Sequence, residues 1–85
     1  MRFRGRVRVM PRAGLLDPQG HAVEQALGAL GFASVKQVRV GRTLEIGLDA
    51  DSEQQVRERL REMCERLVAN PVTEDFTIDA VEALP

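Results

Sequence analysis

The chain contains no tryptophan and no tyrosine, and only one cysteine, one histidine and one lysine. Each shortage excludes something. Without Trp or Tyr, and with its three Phe at inward or capping positions, it lacks the aromatic platform on which nucleic-acid bases stack. A single Cys rules out an internal disulfide, and one Cys with one His cannot form a protein-only zinc site. Neither sign of charge is in excess: 12 basic against 13 acidic residues leave a net charge of −1. Nucleic acid and anionic membrane both attract a basic surplus, so neither is expected as a partner. No apolar run approaches the ~18 residues of a membrane-spanning helix. The opening MRFRGRVRVM alternates charge with apolarity, unlike a signal or transit peptide, and the expected location is cytoplasmic. RAGLLDPQG lacks the Gly-Lys-Ser/Thr ending of a phosphate loop. No nucleophile–base pair and no metal cluster is legible, so no catalytic residue, cofactor site or metal site is assigned to this chain.

What is present is strong patterning. Eighty-five residues form one domain, spanning 1–85, and a chain this short buries only about 60–65% of its unfolded surface. Self-association or a partner is therefore expected. Residues 2–10 alternate strictly, with Phe3, Gly5, Val7 and Val9 on one side and Arg2, Arg4, Arg6 and Arg8 on the other, as a half-buried strand does. The 11–20 connection leads to a helix from about 18 to 30. Asp17 is its N-cap, Pro18 takes the first helical position, and Gly31 closes it in a left-handed C′ conformation followed by Phe32. Its apolar stripe is Ala22, Val23, Ala26, Leu27 and Leu30. Strands over 34–40 and 43–49, joined by a tight turn at Gly41-Arg42, come next. A second helix begins at Ser52 with Gln55 completing a capping box, carries Val56, Leu60, Met63 and Leu67 inward, and ends at Asn70-Pro71. A last strand, about 73–81, points Phe76, Ile78 and Ala80 inward.

The order β-α-β-β-α-β is that of an α+β two-layer sandwich, ferredoxin-like, with an antiparallel sheet in the order 4-1-3-2 and two helices on one face. Strand 1 is central in that order. Its four arginines are then expected to lie against Glu45, Asp49 and Asp79 on the flanking strands. The plain reading of this stripe is a solvated, neutralised sheet face; the other is an oligomer interface. His21 is a surface residue, and Cys64 sits at the flank of the core.

The 11–20 connection is longer than a strand-to-helix loop requires. Leu16 packing back near Ala22 as a hydrophobic staple accounts for one leucine, not for Leu15 as well. Gly20, placed in the first helical turn, is expected to accept Ala with a gain of about 0.4–1 kcal/mol.

The stretches GLLDPQGHAVEQALGALGF, VRVGRTLEI and MCERLVANPVTEDF, in this order over essentially the whole chain, resemble the PurS family, the small subunits of bacterial and archaeal phosphoribosylformylglycinamidine synthase. Arg12 stands where Lys is frequent in the family, and Leu15 where Val is frequent. The resemblance implies a non-catalytic subunit of a ligase complex of purine biosynthesis. That complex converts formylglycinamide ribonucleotide to its amidine, using glutamine, ATP and magnesium. The synthetase subunit (PurL) binds ATP, the glutaminase subunit (PurQ) releases ammonia, and the small subunit holds the two together and supports ammonia transfer. It also implies a dimer or tetramer. On this reading the loop is shaped for contact with another protein through Arg12, Gly14, Leu15, Leu16, Asp17, Pro18, Gln19 and Gly20, the glycine admitting a partner close to the backbone. The alternative is a small ferredoxin-like regulatory domain that binds an amino acid at a subunit interface. Metal chaperones of this fold are excluded by the missing Cys-x-x-Cys.

Overall fold

A computed structural model describes residues 1–85. In chain order the elements are β1 (Arg2–Pro11), α1 (Pro18–Ala29), β2 (Arg42–Asp49), α2 (Glu53–Met63) with a π-helical continuation (Cys64–Val68), and β3 (Glu74–Ala83). The three strands form an antiparallel sheet in the order β2-β1-β3. β1 is central, as its alternation demands. Phe3, Gly5, Val7 and Val9 are buried while the arginines between them are exposed.

The arginine face is neutralised across strands. Arg2 pairs with Asp49, Arg4 with Glu82, Arg6 with Glu45 and Arg8 with Asp79. Three of these acids are the expected ones. Glu82 joins them because β3 carries a bulge: Arg6 lies opposite Ala80 and Val7 opposite Ile78, which leaves Asp79 as an extra residue. One added residue reverses the alternation beyond it. Val81 rather than Ala80 therefore packs on the core with Phe76 and Ile78, a correction to the expected inward set.

α2 lies across β1 and β3 and barely touches β2. Its start is capped as expected, Ser52 Oγ accepting from the Gln55 N–H at 3.1 Å, while the Gln55 side chain accepts from the Asp51 N–H at 2.7 Å. Val56, Leu60 and Cys64 are completely buried against the inner face of β1. Leu60 sits directly over Gly5, where a side chain would collide with it. The expected stripe fails only at Leu67, which is 86% exposed. The helix widens to a π-turn after Met63, with the Ala69 N–H donating to the Cys64 carbonyl, an i→i+5 bond. That shifts the inward positions by one residue, so Val68 and Ala69 pack on the core instead.

Two further expectations are corrected. Residues 34–40 form no strand in the single chain, and there is no tight turn at Gly41-Arg42. The backbone passes straight on from β2: Arg42 is opposite Val9, Gly41 lies against Val9 and Met10, and the Arg39 guanidinium donates to the Pro11 carbonyl. The apolar alternation explains why. Val38 and Val40 share the parity of Leu44, Ile46 and Leu48, as they must in one continuous strand. A two-residue turn would set Val40 opposite Thr43 and Val38 opposite Glu45, on the wrong face. The second correction concerns α1, which makes at most marginal contact with the sheet or α2. Val23 and Leu30 of its apolar stripe are exposed. With residues 33–40 it forms an arm beyond the end of the sheet. The molecule accordingly measures 50 × 29 × 14 Å with a radius of gyration of 16.4 Å, against about 12 Å for a compact chain of this length. The α+β class and the antiparallel sheet stand; one strand and one helix lie off the sheet that they were expected to complete.

Leu60→Ala is expected to lower the unfolding free energy by about 2–5 kcal/mol, because Leu60 fills the space between α2 and Gly5. Urea denaturation checks this, and a loss below about 1 kcal/mol would contradict the packing described.

Candidate functional site

The 11–20 connection forms the joint between the sheet and the arm. Arg12 begins it. Its guanidinium donates to Asp75 at 3.1 Å and to the Pro71 carbonyl at 2.7 Å, and its N–H donates to the Thr73 carbonyl. Arg12 is thus engaged with the approach to β3. The chain then turns, with Gly14 at φ +84°, a left-handed conformation suited to glycine.

Asp17 does more than cap. Its Oδ1 accepts from the Gly20 N–H at 3.0 Å, and its Oδ2 accepts from the Val40 N–H at 2.9 Å. One carboxylate therefore ties the start of α1 to the far side of the arm. The hydrogen bonds from Val40 and then Gly20, with the nearby Arg39 charge, hold its carboxyl below the ordinary range. Gly20 is buried, and a side chain there would run into the Val38 carbonyl and the Asp17 carboxylate. The close approach that Gly20 permits comes from the chain's own backbone. The expected gain from Gly20→Ala is thereby reversed. At the far end of α1 the cap is as expected, with Gly31 at φ +97° and the Phe32 N–H donating to the Leu27 carbonyl at 3.0 Å.

Internal structure thus accounts for Arg12, Gly14, Asp17 and Gly20. It does not account for Leu15 and Leu16, which are 47% and 84% exposed. Leu16 forms no staple at that exposure. The two leucines separate two shallow open clefts of about 270 and 520 Å³; Arg12, His21 and Arg39 line the first, and Pro18, Gln19 and Arg42 the second. Arg42 is itself held. Its guanidinium grips Glu74 through two bonds of 2.6 and 3.1 Å, and Glu74 also accepts from the Asn70 N–H at 2.8 Å. Arg42 first, and then Asn70, keep the Glu74 carboxyl low. His21 lies on the surface with its Nε2 3.1 Å from the Gln25 amide nitrogen. Cys64 is buried, which pushes its thiol up and away from nucleophilic use. No group of three or more His, Cys, Asp or Glu side chains converges.

The site residues named from sequence are contiguous and stay together. Val38, Val40 and Arg39, which complete the joint, were missed. The signal that could have found them is the unbroken parity of Val38, Val40 and Leu44.

Fold and joint together define a small α+β subunit with a protruding apolar arm and a bare leucine pair, a component of a larger assembly. Residues 4–82 match the model of the family described as PurS, phosphoribosylformylglycinamidine (FGAM) synthase. The chain therefore belongs to the PurS family of FGAM synthase subunits. It is 34% identical to the FGAM synthase subunit PurS of Bacillus subtilis over 82 residues, 96% of each chain. Among solved structures, Thermus thermophilus PurS matches with a TM-score of 0.89 and 39% identity over the whole of both chains. A chain in the structure of PurLQS from Thermotoga maritima matches with a TM-score of 0.82 and 27% identity, covering 99% of each. This membership favours a subunit of a ligase complex of purine biosynthesis over an amino-acid-binding regulatory domain.

Two outcomes follow from the joint. Gly20→Ala is expected to destabilise the protein, by about 1–3 kcal/mol as overpacking does, and thermal or urea denaturation reads the sign; a stabilised variant would refute the close approach of Val38. The second concerns acid. Because the folded Asp17 carboxyl titrates below its unfolded value, its contribution is complete above about pH 4–5 and is lost as pH falls through the folded value. Asp17→Asn keeps one acceptor oxygen, so its amide nitrogen faces one of the two N–H groups, Gly20 or Val40, donor against donor. It is expected to remove that part of the acid-dependent loss in melts taken from pH 6 down to pH 2, and an unchanged pH slope would show that the carboxylate does not carry it.

Proposed function

We propose that this chain is a non-catalytic assembly subunit that bridges the synthetase subunit (PurL) and the glutaminase subunit (PurQ) of FGAM synthase and supports the passage of ammonia between them. It would work in the cytoplasm as a dimer or tetramer. ATP and magnesium belong to the large subunit, and this chain takes no cofactor. The observation that carries the reading is the joint itself. Arg12, Gly14, Asp17 and Gly20 are used internally, whereas Leu15 and Leu16 project into solvent beside two open clefts. Exposed leucines that no element of their own fold needs are suited to burial by another protein. The likeness to a chain of PurLQS supports the choice of partners.

Reconstitution with the synthetase and glutaminase subunits tests this. Leu16→Ala alters a side chain with almost no internal contact, so stability is expected to stay within about 0.5 kcal/mol. Glutamine-dependent amidine formation in the reconstituted complex is expected to fall at least tenfold, while turnover supported by added ammonia falls less. The isolated chain is expected to show no ATPase, glutaminase or ligase turnover. A Leu16→Ala complex that assembles and turns over like the parent would refute the role given to the loop.

A further inference from the structure

The turn that joins the π-helical end of α2 to β3, residues 70–73, is exposed yet closely tied. The Asn70 side chain accepts from the Val72 N–H at 2.9 Å, and its carbonyl accepts from the N–H groups of Thr73 and Glu74 at 3.3 and 2.9 Å. Two arginines hold the turn from outside. Arg12 donates from its backbone to the Thr73 carbonyl, and from its guanidinium to the Pro71 carbonyl and Asp75. Arg42 reaches Glu74 and the Val68 carbonyl, and Glu74 in turn accepts from the Asn70 N–H. Within this frame Val72 is 73% exposed. The fold spends many polar contacts on presenting an aliphatic side chain that packs on almost nothing of its own chain.

The same bonds fix where Val72 stands relative to the exposed leucines. Arg12 opens the 12–16 connection, and β1 ends opposite Glu74, so loop and turn lie side by side at one end of the sheet. Leu15, Leu16, Thr73 and Glu74 line one open cleft of about 520 Å³. The charged side chains of that cleft are Asp17, Arg42 and Glu74. Arg42 and Glu74 satisfy each other, Arg12 beside them is paired with Asp75, and Asp17 holds the N–H groups of Gly20 and Val40. What this end of the molecule offers another protein is apolar tips on a frame whose charges are already spent.

We propose that the 70–73 turn is a second contact loop, and that Val72 is buried together with Leu15 and Leu16 by one neutral, apolar patch on a single partner subunit. This rests on the bridging role proposed above and adds the second loop, the single partner and the chemistry of its surface. Arg12 and Arg42 are positioning residues here. They fix the spacing of the tips, so that the surface is met already ordered and little side-chain and loop entropy is lost on binding. Because no free charge takes part, the contact is expected to be nearly insensitive to salt, unlike one between exposed charges.

The full-length chain is titrated into the synthetase and the glutaminase subunits, separately and mixed, at low and high salt. Val72→Asp sets a charge against the apolar patch and is expected to weaken binding about tenfold or more, to the same subunit whose binding Leu16→Ala weakens. Val72→Thr, nearly the same shape, is expected to lose far less. Melting of both variants is expected to match the parent. Arg12→Met removes the tie between loop and turn; it is expected to weaken binding and to shrink the penalty of Val72→Asp made in the same chain, while Arg12→Lys restores most of both. Binding that Leu16→Ala weakens and Val72→Asp does not would overturn the second loop and leave the bridging reading standing. Loss at one subunit for Val72→Asp and at the other for Leu16→Ala would overturn the single patch. A tenfold fall in the parent's affinity from about 50 to about 500 mM salt would overturn its neutral chemistry. A Val72→Asp chain whose sedimenting mass falls below the parent's would show that Val72 faces a second copy, and overturn the proposal. If neither substitution weakens binding, the proposal and the role given to the leucines both fall.

Discussion

The alternation of β1 is the constraint on which the rest of the molecule depends. As the central strand it must satisfy neighbours on both edges and both faces at once. On the inner face Gly5 lets Leu60 descend onto the sheet, and Phe3, Val7 and Val9 are buried around it. The outer face carries four arginines spaced two residues apart, tolerable only because an acid answers each one from a flanking strand. These pairs are exposed, and exposed ion pairs contribute little individually. What they remove is repulsion along one strand. They also favour the correct register, since slipping β2 or β3 by one residue would carry the acids to the inner face.

A second constraint is local. The Asp17 carboxylate has two oxygens and uses them on two N–H groups twenty residues apart, one starting a helix and one in an otherwise unpaired segment. Gly20 belongs to the same device, because the Val38 carbonyl occupies the space where its side chain would be. Helix α1 is thereby held by its first turn and by Gly31 at its end, without a surface beneath it. Few helices of twelve residues persist in water on capping alone. The stripe of Val23, Leu27 and Leu30 therefore calls for cover that a single copy does not supply.

Much of this was legible in the sequence. Strict period-2 alternation located β1 and its partners, and the capping residues Asp17, Ser52 and Gly31 located the helix ends, because these signals are local and strong. Three features escaped for three different reasons. The bulge at Asp79 and the π-turn after Met63 each add one residue to a period, and nothing in the composition of TIDAV or CERLV announces it. Both are settled by packing against β1, which is long-range information. The missing hairpin differs in kind. Its signal was present, since Val38, Val40 and Leu44 keep one parity through Gly41, but a glycine between two apolar runs reads as a turn when only local propensity is weighed. At the joint, the named residues lie together in one loop, but the reason expected for Gly20 does not hold. A glycine in a first helical turn looks available for a methyl until the chain that crosses it is known.

The position of the joint links assembly to internal structure. Two connections lead from sheet to arm: residues 12–16, with Gly14 in its left-handed conformation, and the passage through Gly41. Leu15 and Leu16 lie on the first, two residues and one residue before Asp17. A protein that buries these leucines grips the connection that fixes where the arm points. Conversely, whatever fixes the arm at Val40 fixes, through the Asp17 carboxylate, the start of α1 and the loop before it. Contact at the leucines and placement of the arm are therefore not independent. A chain with so small a buried core has little rigidity of its own to bring to a complex. Its order at the loop is completed by the same contacts that join it to other chains.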